Sequence, residues 1–224
     1  MNNSNIVSLL FPGMQSHMEE IYKSKISYIG NVINSVCDAS QSEALNLKSS
    51  SSKILFVGSV KYMEGALSLI EAFTLLKKKY SDISLHFIGL NDEDFKDNLP
   101  KDVFCYGYLD KGIDSERQTY YNLFKEAKVF VNTTPKWSSF SASIEAMYFY
   151  TPVIVPSYDE FVHTFGEDFN GGLFCDDNRT LSNTIEILMH SDNYIDKCIN
   201  AHELVKEFTW DRYIDKFLNE IRKI

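Results

Sequence analysis

Residues 128–156 read KVFVNTTPKWSSFSASIEAMYFYTPVIVP, and the reading of this stretch decides the fold. Its two ends, Lys128–Asn132 (KVFVN) and Pro152–Pro156 (PVIVP), are continuous apolar runs rather than alternating ones. Such runs are strands buried on both faces, as in a parallel sheet. Between them Ser141–Tyr150 carries an apolar helical face. The stretch is a strand–helix–strand unit.

The same rhythm extends in both directions. Lys53–Gly58 (KILFVG), Ser84–Gly89 (SLHFIG), Val103–Tyr108 (VFCYGY) and Gly172–Cys175 (GLFC) are further strand candidates. Helical patterns alternate with them: Leu67, Ile70, Phe73 and Leu76 form one apolar face, and others lie on Tyr120–Ala127 and Leu181–Met189. Two more helices are expected at about Asp192–Lys206 and Trp210–Ile224. This alternation predicts an α/β fold, a Rossmann-like doubly wound parallel sheet of about six strands.

The N-terminal residues break the rhythm. A helical piece around Gln15–Lys23 and a strand-like run Ile26–Ile29 precede a polar stretch, Ala39–Lys48, that ends in Ser49–Ser52. Serine-rich sequence without periodicity reads as a flexible linker. Residues 1–52 are therefore expected to be an N-terminal appendage, the tail of a preceding domain with its linker, and residues 53–224 the Rossmann-like domain. The apolar run Ile6–Phe11 (IVSLLF) in that appendage favours burial.

Composition narrows the function. The chain has 224 residues with 22 basic and 31 acidic side chains, a formal net charge of −9. Acidity of this size argues against a nucleic-acid partner bound by phosphate neutralisation. No apolar run approaches the roughly 18–20 residues of a membrane span, and the polar start is no signal peptide. Cys37, Cys105, Cys175 and Cys198 form no CxxC pair, which fits buried reduced thiols and a cytoplasmic setting. His17, His86, His163, His190 and His202 are scattered, so no metal site is expected.

In an open α/β sheet the ligand belongs at the carboxyl ends of the strands. The loop Gly58–Gly65 (GSVKYMEG) carries neither the G-x-G-x-x-G dinucleotide pattern nor the GK[ST] end of a P-loop. The loop Thr133–Ser141 (TTPKWSSFS) leads into a helix with Glu145 one turn from its start. Amides at that N-terminus, with the hydroxyls of Ser138, Ser139 and Ser141, would suit a phosphate. Glu145 would suit the two hydroxyls of a ribose, or would simply complement the helix dipole.

At this point the residues resemble a family. Ser143–Val155 (SIEAMYFYTPVIV) is similar to the LLEAMACGTPVIA segment of retaining GT-B glycosyltransferases of family 4 (group 1). Ile54–Gly58 with Gly65–Phe73, then Phe104–Tyr108, Tyr120–Asn132, Asn170–Phe174 and Phe208–Tyr213 resemble further family segments in the same order. Lys25–Asn34 is like the stretch that closes the family's N-terminal domain. The resemblance implies the C-terminal, nucleotide-sugar-binding half of a glycosyltransferase. Such an enzyme moves a sugar from a nucleotide-diphosphate donor to a glycan or lipid-linked acceptor, without metal or cofactor. The acceptor half would be a second, N-terminal domain, and polysaccharide biosynthesis is the usual setting. Peripheral membrane association is compatible with this reading.

Several motif residues are replaced. Where the family grips the diphosphate with an Arg and a Lys, this chain has Ser59 and Glu64. A carboxylate there repels the diphosphate by about 1–4 kcal/mol. Lys61 or Lys136 is a candidate substitute. Of the family's paired glutamates, the second falls on Glu145 and the first on Trp137. Expected substrate contacts are thus Glu145, Ser138, Ser139, Phe140, Ser141, Ser59 and Trp137, with Trp137 or Phe140 packing on base or sugar, or else simply in the core or loop. His163, just past the fifth strand, would lie near the same mouth, either as a satisfied or solvated histidine or in contact with acceptor or sugar. The alternatives are a degenerate glycosyltransferase-like domain acting as partner or scaffold, and an unrelated Rossmann-like binding module or epimerase-type enzyme.

Overall fold

The computed structural model describes residues 7–9, 20–23, 25–35, 40–96, 99–133 and 140–223. The chain opens with a parallel pair, β1 (Val7–Leu9) and β2 (Ile26–Tyr28), in register Val7 to Ile26, with the short α1 (Glu20–Lys23) between them. Helix α2 (Gln41–Ser50) follows. Next come β3 (Lys53–Val57), α3 (Met63–Lys77), β4 (Ser84–Ile88), β5 (Val103–Cys105), α4 (Asp114–Glu126) and β6 (Ala127–Val131). The remainder is α5 (Ser141–Tyr148), β7 (Val153–Val155), α6 (Asp159–Phe165), β8 (Gly172–Phe174), α7 (Leu181–Met189), α8 (Tyr194–Val205) and α9 (Trp210–Ile221).

Strands β3 to β8 form one sheet in the order β5-β4-β3-β6-β7-β8, every pair parallel. All six strands expected from the apolar runs are present. The order reverses between β3 and β6, so the crevice for a ligand opens at the carboxyl ends of those two strands. One core layer packs under α4, α5, α6 and α8 around Phe124, Phe130, Phe149 and Phe161. The other packs under α3 and α7 around Phe56, Phe73, Phe87 and Ile185. Each such side chain contributes about 1.5–3 kcal/mol when fully buried.

Two local expectations are corrected. The buried face of α3 is Ala66, Leu69, Phe73 and Leu76, whereas Leu67 is 48% exposed. A strict three-residue spacing drifts around a helix of 3.6 residues per turn, so Leu67 leaves the face on which Phe73 lies.

The second concerns Gln41–Ser50, which is helix where composition reads linker. Lys48 is fully buried there, and its Nζ donates to the carbonyls of Phe124 at 2.8 Å and Lys125 at 2.6 Å. Those carbonyls belong to the last turn of α4, which has no intrahelical partner for them. Ala44 of the same helix packs against Tyr150, Tyr194 and Cys198.

At the rim, Gly89 ends β4 with φ +89°, and a Cβ there would sit 1.9 Å from the Gly58 carbonyl oxygen. Only glycine fits that conformation and that approach. Its N–H donates to the Gly107 carbonyl at 2.7 Å, carrying the ladder past the strand ends.

Candidate active site

After β3 the chain passes Gly58 and Ser59, makes a 3-10 turn over Val60–Tyr62, and enters α3. After β6 it reaches Asn132 and Thr133. The two loops close on each other: a Cβ on Gly65 would lie 2.2 Å from Thr133 Oγ1. A cavity of about 550 Å³ opens there, lined by Glu64, Gly65, Thr133, Ser157, Asp176 and Asp177 among others. Thr133 Oγ1 is buried, and among the described residues it has no hydrogen-bond partner.

The cavity's carboxylates are unlike a diphosphate cradle. Asp176 accepts from Ser157 N at 2.6 Å and Ser157 Oγ at 2.8 Å, tying the loop after β7 to the loop after β8. Asp177 accepts two bonds from Arg179 Nε and one of 2.7 Å from Nη2, and these hold its carboxyl below the usual range. Glu64 stands exposed in the first turn of α3, where its charge suits the helix dipole.

Glu145 lies one turn into α5, and its side chain is only 8% exposed. Lys111 Nζ, from the loop after β5, donates to its Oε1 at 2.6 Å. Tyr120 OH, from α4, donates to its Oε2 at 2.8 Å. Burial, and then the carboxylate beside it, push the Tyr120 hydroxyl far up. The Lys111 ammonium also lies 4.1 Å over the Tyr120 ring and 5.4 Å from that of Tyr121, a cation–π arrangement. Its loop is braced: Arg117 Nη1 donates to the Lys111 carbonyl at 2.9 Å, and Gly112 N to Asp110 Oδ1 at 2.8 Å.

The other expected residues divide. Ser141 is the exposed first residue of α5. Phe140 caps that helix with a left-handed backbone, φ +42°. Its ring is 1% exposed and packs on Phe161 and Phe165 at 5.6 and 5.7 Å. The expectation that this ring packs on base or sugar is thereby corrected: it is a core residue, and only its backbone is left for a ligand. Ser59 is half-buried, and its carbonyl accepts from Tyr62 N at 2.8 Å. Lys61 is exposed and in no ion pair among the described residues. Lys136, Trp137, Ser138 and Ser139 lie outside the described residues. His163 is exposed on α6.

Sequence reasoning missed Lys111 and Tyr120. The loop after Tyr108 was legible as part of the rim, but a single lysine in it carries no motif. Their pairing with Glu145 spans 34 and 25 residues of chain. Among the described residues no three His, Cys, Asp or Glu side chains are grouped to hold a metal, and no helix is long and apolar enough to cross a membrane.

A parallel sheet in this order, with a crevice at its switch point, is a doubly wound α/β domain whose ligand crevice lies at the carboxyl ends of its strands. The model of the family described as "Glycosyl transferases group 1" matches residues 38–205. The chain belongs to that family, and its fold is the Rossmann-like fold of GT-B enzymes. Among solved structures, S. aureus TarM in a complex with UDP superposes with a TM-score of 0.71 at 20% identity, over 97% of this chain and 44% of that one. A glycosyltransferase from Rickettsia africae gives 0.71 at 17%, over 98% and 63%. Anabaena HepE, in complex with UDP and glucose, gives 0.70 at 14%, over 98% and 63%. The chain therefore spans about half the length of the structures it matches. No curated protein matches it.

Proposed function

We propose that this chain is the donor-binding half of a retaining, metal-independent hexosyltransferase. It would move a sugar from a nucleotide diphosphate to a glycan or lipid-linked acceptor. The observation that carries this reading is Glu145, one turn into the helix that leaves the switch-point crevice, within the segment matched to the family. A carboxylate there accepts the two ribose hydroxyls. The amides opening α5 and a nearby cation stabilise the leaving diphosphate. The acceptor then attacks the anomeric carbon from the face the diphosphate leaves, held there by positioning rather than by covalent help.

In this scheme the acceptor is held by a second lobe. The surface that would meet it is α9, whose Trp210, Ile214, Leu218 and Ile221 are 42–53% exposed. The helix is tied to β1 through Ser8 Oγ and Tyr213 OH (3.3 Å) and to the segment after β2 through Trp210 Nε1 donating to Asn34 Oδ1 (3.1 Å).

A second reading, a non-catalytic partner domain, is favoured by the Glu64, Asp176 and Asp177 carboxylates around the cavity. A thermal-shift panel of UDP, GDP, ADP and CMP separates the two. A donor site gives stabilisation of RT ln(1 + [L]/Kd) with one nucleotide, absent in Glu145→Ala. A flat panel on well-folded protein supports the partner domain.

A further inference from the structure

Both oxygens of Glu145 are taken in the resting chain. Tyr120 donates to Oε2 from a hydroxyl that is itself buried, whereas Lys111 donates to Oε1 from a side chain that is 31% exposed. A vicinal diol donates two hydrogen bonds and needs both carboxylate oxygens within reach. Of the two resident donors, only Lys111 stands on the solvent side, so a ribose reaches Glu145 by displacing that ammonium. The Lys111 backbone does not follow, because Arg117 holds its carbonyl and Asp110 holds the next amide. The displaced ammonium therefore swings on its own stem and remains in the crevice.

A nucleoside diphosphate brings, a few bonds from that diol, two charged phosphates. The loop after β3 offers them Ser59 and Glu64, and Lys61 is exposed in a 3-10 turn. We propose that Lys111 is the diphosphate-binding cation of this donor site, parked on Glu145 until a ribose exchanges it onto the phosphates. The inference rests on the donor-site reading above. It exchanges one ion pair for another: the Lys111–Glu145 pair breaks, one diol hydroxyl takes Oε1 while the other shares Oε2 with Tyr120, and the ammonium pairs with a phosphate oxygen. No covalent bond changes. Charge-assisted hydrogen bonds to carboxylate and to phosphate are of comparable strength. After the exchange the Glu145 carboxylate is held by hydrogen bonds from the diol and Tyr120, and the ammonium by the phosphate.

The test is isothermal titration of the full chain and its Lys111→Met variant with uridine and with UDP, repeated with guanosine/GDP and adenosine/ADP. In Lys111→Met the unmasked carboxylate should bind the nucleoside as tightly as wild type or several-fold tighter, while the diphosphate binds at least tenfold weaker. Lys111→Arg should restore most of the diphosphate affinity. Equal weakening of both ligands would show that Lys111 only supports Glu145, and unchanged affinity for both would show that it does neither; each overturns the proposal while the donor site stands. Binding of no pair to wild type overturns the donor site and this inference together.

A second measurement needs no variant. Reductive methylation of wild type, read by mass spectrometry, should label Lys111 faster with the nucleoside, which releases it, and slower with the diphosphate, which captures it. Identical labelling under both ligands contradicts the exchange.

Discussion

Lys111 Nζ lies 2.6 Å from Glu145 Oε1, joining the loop after β5 to the first turns of α5, and Tyr120 closes the group from α4 at 2.8 Å. Two successive crossovers, β5 to β6 and β6 to β7, thus meet at one carboxylate. Glu145→Ala leaves the buried Tyr120 hydroxyl without an acceptor, which costs about 1–3 kcal/mol. Tyr120→Phe removes one donor from a carboxylate that still has Lys111, and should cost about 1 kcal/mol or less. The Glu145→Ala/Tyr120→Phe double variant should be no less stable than Glu145→Ala alone, since no orphaned hydroxyl remains. Denaturant unfolding of the three variants measures this coupling directly.

Gly65 and Thr133 meet at the crevice mouth. Gly65→Ala puts a methyl group 2.2 Å from Thr133 Oγ1, and overpacking of that kind costs about 1–3 kcal/mol. Adding Thr133→Ala should recover only part, because the Thr133 Cβ would still lie 3.0 Å from the new methyl. Urea midpoints of the single and double variants check both statements.

How much of this the sequence carried depends on how local each signal is. The strands were legible because the central ones, β3, β4, β6 and β7, are buried on both faces and so run largely apolar without alternation. The edge strand β5 keeps such a run although Phe104 is exposed. Helix α2 was not: its sequence, QSEALNLKSS, has almost no apolar face, and its anchors are one alanine and the Lys48 ammonium seated on α4. Composition sees serines there and cannot see the carbonyls 76 residues away. At the site, Glu145 was legible from its place in the helix after β6. Its partners were not, since ion pairs between loops of different crossovers leave no periodic trace.

Lys48 gives the fold a pH dependence. Burial lowers its ammonium to about 7 in the folded chain, against about 10.4 when unfolded. Between those values the unfolded chain holds a proton that the folded chain has released, so this lysine's contribution to stability rises with pH. Below about pH 7 both states are protonated and the cost of burying the charge is constant. Lys48→Met should flatten the rise in unfolding free energy between pH 7 and 10 by up to one proton's slope, measured by urea denaturation at several pH values.

His86 acts at the acid end. It bridges Ser84 Oγ and Tyr106 OH, both at 2.9 Å, and burial lowers it to about 4. From about pH 6.5 down to 4 the unfolded chain takes up a proton the folded one refuses, so stability falls on acidification. His86→Gln, which keeps polar atoms for both partners, should reduce that fall across the same window.

The claim at the centre is that a nucleoside diphosphate binds at Glu145. A titration with UDP, GDP or ADP followed by backbone amide NMR locates the ligand residue by residue. One nucleotide should shift the amides of Gly58–Glu64, the Lys111 loop and Ser141–Glu145 together, with the response lost in Glu145→Ala. Shifts confined to another face of the molecule, or none at millimolar nucleotide, would contradict it.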